Sequence, residues 1–188
     1  MILRILACFI LLCSTALAAD VTYYFNSYDS NFNFLNPDNI VDGSTSTYAT
    51  CNVDTAILFQ DSNTYGGGLS YSINEVHMRV YYSITDTDGT ADLELLPWFG
   101  PAGEDTENKA GEIVTVIDGG VNVSSRWSEW YEISNDSNAP KPFSFSDIET
   151  LEMAVGGASH GSVLPELRVY KVEIRVTYGE SIRGMTIN

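Results

Sequence analysis

Basic residues are scarce. The 188 residues carry 9 Lys and Arg against 25 Asp and Glu, a formal charge of −16 at pH 7. Phosphate recognition needs a basic face, which excludes DNA, RNA and anionic lipid as the main partner. Histidine is rarer still, at 2. His77 and His160 with few cysteines cannot build a His-rich catalytic zinc site. Cysteine is limited to Cys8, Cys13 and Cys51, and the first two lie in the N-terminal apolar segment. Neither has the setting of a lipid-anchored cysteine, since Cys8 comes too early and Cys13 follows Leu12 where a small residue is needed. Cys51 is then alone and forms no intramolecular disulfide. It reads as a small buried hydrophobe, with an intermolecular bridge as the alternative in an exported protein. Long apolar runs are missing as well. Ile5 to Leu12 is far short of the roughly 20 residues a membrane-spanning helix requires, so no membrane span is expected.

What the N-terminus does have is a secretory pattern. Arg4 is followed by the short apolar core and by Ala16-Leu17-Ala18, a small-x-small cleavage site. Residues 1–19 therefore read as a signal peptide and residues 20–188 as a single domain, secreted to the exterior or cell surface. Loss of Arg4 leaves 8 basic residues and a formal charge of −17. With 44% hydrophobic and 12% aromatic residues the chain can bury a core, which argues against disorder.

Lys, Glu, Ala and Leu are thin in the mature region, whereas Tyr, Thr, Ser, Asn, Asp and Gly abound, a balance that favours strands and turns. Two segments alternate with a period of two. In Ile73 to Ile84, Val76, Met78, Val80 and Tyr82 alternate with polar neighbours. In Leu167 to Tyr178, Val172, Ile174, Val176 and Tyr178 do the same. Shorter strands are expected at Val21–Phe25, Ala56–Gln60, Asp92–Trp98, Glu112–Ile117, Ser128–Ile133 and Leu151–Val155. One helical turn is expected at Ser146–Thr150, capped by Ser146. About eight short strands without helical crossovers, and without internal repeats, predict an all-β fold, an antiparallel sandwich of the jelly-roll kind.

No motif declares an enzyme. Gly157-Ala158-Ser159-His160-Gly161 matches the nucleophile-elbow spacing, but Gly161 to Pro165 is a poor helix start and no His follows His160. Ser159 and His160 are read as a turn at the sandwich rim. Among 25 acids, Glu129 with Glu132, or Glu94 with Glu173, can be paired for glycoside hydrolysis, yet nothing sets either pair apart. Calcium is the cofactor the acidic turns suggest. Asp86-Thr87-Asp88-Gly89 resembles half of a calcium loop, and Asp42, with Asp38, Asp54 and Asp61, sits in similar surroundings; Asp88-Gly89 also fits a plain hairpin turn.

Trp127-Ser128-Glu129-Trp130 places two indoles three residues apart, which in a regular strand face opposite sides. An exposed Trp among Tyr, Asn and Asp suits a sugar; core packing is the competing reading for Trp127 and Trp130. The same spacing fits a tryptophan-mannosylation pattern, and Asn122-Val123-Ser124 and Asn135-Asp136-Ser137 are glycosylation sequons.

Asn39-Ile40-Val41-Asp42-Gly43-Ser44-Thr45-Ser46-Thr47-Tyr48-Ala49-Thr50 resembles the V-D-G-x-x-x-T-Y-A opening of a group of exported prokaryotic, often archaeal, β-sandwich proteins. Trp130 to Asn138 and Lys171 to Tyr178 resemble the same group, and the opening is more loosely similar to discoidin-like, galactose-binding-like jelly rolls. The likeness implies export and a sandwich, with no catalytic residue to transfer. Phe143-Ser144-Phe145-Ser146 stands where that group has a Thr-Trp-Thr-Trp strand.

Two functions follow, neither enzymatic. The first is an extracellular structural protein, a self-assembling filament or surface-layer subunit. Its assembly segment would be Val21 to Asn26, with Tyr23, Tyr24 and Phe25 added to a neighbour's sheet edge. The second is a carbohydrate-binding module, with calcium as its cofactor and a polysaccharide as its partner.

Overall fold

The computed structural model describes residues 18–53, 55–69, 71–85, 91–100, 110–120, 122–159 and 166–179. Their secondary structure is almost entirely strand, in two antiparallel sheets that form a β-sandwich. The long strands are β1 (Ala19–Ser27), β6 (Ser72–Thr85), β7 (Ala91–Trp98), β8 (Val114–Gly120), β11 (Glu152–Ser159) and β12 (Glu166–Gly179). The short ones are β2 (Ser30–Phe32), β3 (Ala49–Cys51), β4 (Ala56–Gln60), β5 (Ser62–Asn63), β9 (Val123–Trp127) and β10 (Tyr131–Glu132).

The first sheet runs β10–β6–β12–β1–β5, with β9 continuing along the edge of β6 and β3 along the edge of β12. The second runs β2–β4–β11–β7–β8. Strands β6 and β12 form the spine, pairing from Ser72–Gly179 to Thr85–Glu166. Their alternation puts Val76, Met78, Val80, Val172, Ile174 and Val176 in the core, each with no exposed surface, as the period-two pattern predicts. The alternate positions, His77, Arg79, Tyr81, Lys171, Glu173 and Arg175, form the outer face. A bulge between Val169 and Lys171 inserts Tyr170 and buries both it and Val169.

Among the described residues twelve strands replace the expected eight, for local reasons. The connection from Asn26 to Thr55 contains β2 and β3, and Ser62–Asn63 adds a short pair to β1. Of the strand expected over Ser128–Ile133, only Tyr131–Glu132 forms, as β10, and β9 ends before it at Trp127. Ser128 donates its N–H to Val80 O at 2.8 Å, and its side-chain oxygen accepts the Val80 N–H at 3.1 Å. The helix is α1 (Phe145–Glu149), one residue earlier than expected. Its capping box is Ser144 with Asp147, not Ser146 with Glu149, because Asp147 reaches the Ser144 N–H at 2.8 Å. No helix among the described residues is long and apolar enough to cross a membrane.

Gly43 is required by its neighbour. It has φ +76°, and a Cβ there would stand 2.7 Å from Cζ of Tyr24. Asp42 fixes the same loop, accepting the Ser44 N–H at 2.7 Å and the Thr47 hydroxyl at 2.5 Å. The V-D-G-x-x-x-T pattern thus folds a loop over the ring of Tyr24.

Candidate functional site

A stripe of aromatic and charged side chains crosses the outer face of the first sheet. Tyr24 on β1, Glu173 on β12 and Arg79 on β6 share one transverse row. Beyond β6 the break after Trp127 lets the chain turn before Tyr131. Trp127 and Trp130, expected on opposite faces, both contact the Arg79 guanidinium, with its carbon 3.9 and 4.2 Å from their ring centroids. The reason is the irregular Ser128–Glu129 step, which removes the strict alternation of a strand. Arg175 lies 4.5 Å from the Trp130 ring, and Tyr81 tilts against Trp127 at 5.1 Å. Both indoles are half-buried.

The ions beneath are tightly held. Arg79 donates through Nε and Nη2 to Glu173 Oε2 at 2.9 and 2.7 Å, and Lys171 Nζ lies 3.0 Å from Oε1. Lys171 also caps the Tyr24 ring at 4.5 Å. Further along, Tyr170 packs edge-on against Tyr48 and Tyr81, and Arg168 lies over Tyr48. Burial alone would raise the Tyr170 phenol, but hydrogen bonds with Ser125 and Ser83 and the Arg168 charge bring it below the ordinary value.

Next to this stripe is a cleft of about 410 Å³ at the open side of the sandwich. Its walls are Val116 of β8 on one sheet, and Tyr82, Arg126, Trp127, Ser128 and Tyr131 on the other, with Glu129 also lining it. Arg126 and Tyr82 are paired in register, and Arg126 donates through Nε and Nη2 to the Tyr82 hydroxyl at 3.4 and 3.3 Å. Burial raises the Tyr131 phenol, with Tyr82 and Glu129 adding to the effect, so it stays protonated at neutral pH. A smaller hollow of about 270 Å³ lies on the second sheet over Gly156 and Gly157, beside Asp92 and Glu94.

The other expected site residues are dispersed. Tyr23 and Phe25 are buried in the core of their own sheet, and Tyr24 belongs to the stripe, so the assembly segment is an integral strand here. Asp42 is occupied by its own loop, Asp38 accepts the Tyr28 hydroxyl, and Asp61 accepts the Ser27 hydroxyl. Asp54, Asp86 and Asp88 lie outside the described residues. No group of three metal-ligating side chains occurs among the described residues. Glu94 and Glu173 sit on different sheets, and Glu132 accepts from Ser134 and Asn135. Strand β11 continues in its ladder to Ser159, opposite Ala91, where an elbow would turn sharply; His160 lies outside the described residues. Arg79, Arg126, Tyr81 and Tyr170 were missed by motif reading. The signal for Arg79 and Tyr81 was the polar half of an alternating strand, which reads equally as a solvated face; Arg126 and Tyr170 had none.

No family model and no curated protein matches the chain. Among solved structures, it is similar to a chain from "Structure of infectious bursal disease virus Gx strain", at 8% identity and a TM-score of 0.40. The alignment covers 89% of this chain and 33% of that one, and a likeness this loose carries no functional conclusion.

Proposed function

We propose that the chain is a non-catalytic, exported carbohydrate-binding domain. The observation that supports this most is the convergence of Trp127 and Trp130 on one guanidinium beside a polar cleft. Sugars are recognised by flat aromatic surfaces next to directional hydrogen-bonding groups. Arg79, fixed by Glu173, holds both indoles in place before a ligand arrives, which lowers the entropic cost of binding. The polar groups lining the cleft among the described residues are arginine, serine, tyrosine and one glutamate. The test is affinity electrophoresis of the mature protein through gels containing neutral or acidic polysaccharides, with and without EDTA. Retardation is expected, and Trp127→Ala and Trp130→Ala should each weaken it at least tenfold. Unchanged mobility across the whole panel would end this reading.

One observation favours the structural alternative. The second sheet ends in β2 and β8, and each end carries a large exposed apolar residue, Phe32 and Ile113, both 59% exposed. Unlike edges meeting head to tail would build an open filament of sheets. Charge repulsion opposes this at low salt, so association should increase with salt or millimolar calcium and be abolished by Phe32→Lys. Electron microscopy and light scattering decide between filaments and monomers.

A further inference from the structure

We infer that the cleft beside Trp127 selects a carboxylate-bearing sugar, a uronic-acid residue within a polysaccharide, with Arg126 as its specificity-determining residue. The inference rests on the carbohydrate-binding reading above and gives its ligand a chemical class. On the outer face Arg79, Arg168 and Lys171 each lie against a glutamate, and Arg175 lies over the Trp130 ring. Among the described residues Arg126 has no carboxylate partner, although it is exposed and lines the cleft. Among the described residues its side chain has one hydrogen-bond partner, the Tyr82 hydroxyl, reached through two long bonds from Nε and Nη2. Tyr82 is itself buried in the core, so it acts as a fixed post that aims the guanidinium. Its other N–H groups have no acceptor among the described residues.

A planar guanidinium recognises a carboxylate by two parallel hydrogen bonds, a geometry that lysine cannot copy. The rest of the cleft fits a sugar ring and not a bare anion. Ser128 and the protonated Tyr131 offer hydroxyls, Glu129 accepts from a sugar hydroxyl, and Trp127 and Val116 supply apolar walls. The volume, about 410 Å³, is within the range of small-ligand sites.

The net charge sharpens the test. A generic basic patch loses a polyanion as salt rises, whereas a domain of charge −17 repels it at long range and binds it only through local contacts. Screening that repulsion between about 0.01 and 0.15 M salt should leave binding unchanged or improve it. The experiment is affinity electrophoresis of the mature protein and its variants on polygalacturonate, its methyl ester, a neutral galactan and dextran sulfate. Polygalacturonate should be preferred over its methyl ester at least tenfold. Arg126→Lys and Arg126→Gln should each remove that preference, with thermal unfolding unchanged. Equal binding of ester and acid, or dextran sulfate binding that falls with salt, would overturn the inference while leaving the carbohydrate reading intact. Absence of binding to every polysaccharide would overturn both.

Discussion

Gly157 faces Cys51 across the two sheets, so closely that a Cβ on Gly157 would stand 3.3 Å from the Cys51 sulfur and 2.8 Å from Cδ2 of Leu167. The glycine that matches part of a nucleophile-elbow pattern is explained by packing. Gly157→Ala should destabilise the fold by roughly 1–3 kcal/mol through overpacking. Gly156→Ala is the control, because its added Cβ meets nothing closer than 3.6 Å. Urea denaturation of both variants checks this, and a more damaging Gly156 change would show the contact to be misplaced.

The same contact governs the thiol. Cys51 is fully buried, and burial pushes its pKa above the ordinary 9.0. A raised folded-state value means the neutral thiol is favoured in the fold, so this contribution is complete below pH 9.0 and is lost as pH rises toward the folded value. Native protein at pH 8 should resist a thiol-specific disulfide reagent, with labelling that follows unfolding as denaturant is added. It should also migrate as a monomer on non-reducing gels. Rapid native labelling would place Cys51 at the surface and revive the intermolecular bridge.

How much of this was legible depended on regularity. The spine β6–β12 was readable because six apolar residues alternate without exception, and a one-residue slip would expose them all. The stripe was half readable. Trp127 and Trp130 stood out as residue types, but their convergence depends on Ser128 replacing a ladder hydrogen bond with its side-chain oxygen. The Ser144 cap was obscured because two serines two apart offer equivalent signals, and only the position of Asp147 separates them. Arg126 carried no local signal, since its role comes from Tyr82, 44 residues away.

The spine also gives the most severe expected mutations. Val80→Asp or Ile174→Asp would place a carboxylate where no surface is exposed and no cation faces it. Each should abolish cooperative folding, seen as loss of a thermal transition by circular dichroism. A soluble variant with a sharp transition would mean that the buried and exposed faces are exchanged.

Outside the core, the ion triad is the sensitive point. Glu173 is 7% exposed and is held between Arg79 and Lys171. Arg79→Ala removes the bidentate partner and also the cation under both indoles, leaving a nearly buried carboxylate with one ammonium. The loss should be roughly 3–5 kcal/mol, the range for breaking a buried pair. Adding Glu173→Gln should recover part of it, and a double-mutant cycle measures the coupling. Tryptophan fluorescence should shift to the red in Arg79→Ala as the rings are released to water. Additive effects with no spectral shift would show that Arg79 does not order the stripe.

The first strand begins at the expected cleavage junction: Ala19 pairs with Tyr178, and Asp20 accepts the Thr177 hydroxyl at 2.7 Å. If the N-terminal segment is removed on export, the chain should start at Ala19 or Asp20 by N-terminal sequencing, keeping Tyr23 and Phe25 of β1. Recovery of protein starting at Met1 in a membrane fraction would refute the cleavage. Removing residues 19–26 should prevent folding, since Tyr23 and Phe25 each contribute roughly 1.5–3 kcal/mol by burial and β12 loses a pairing edge. The assembly reading of that segment makes the opposite prediction. If a fragment of residues 27–188 folds alone and binds the synthetic peptide 19–26 tightly, the strand is exchangeable between copies. An unfolded fragment that the peptide rescues only stoichiometrically and only at high concentration fixes β1 as part of its own sandwich.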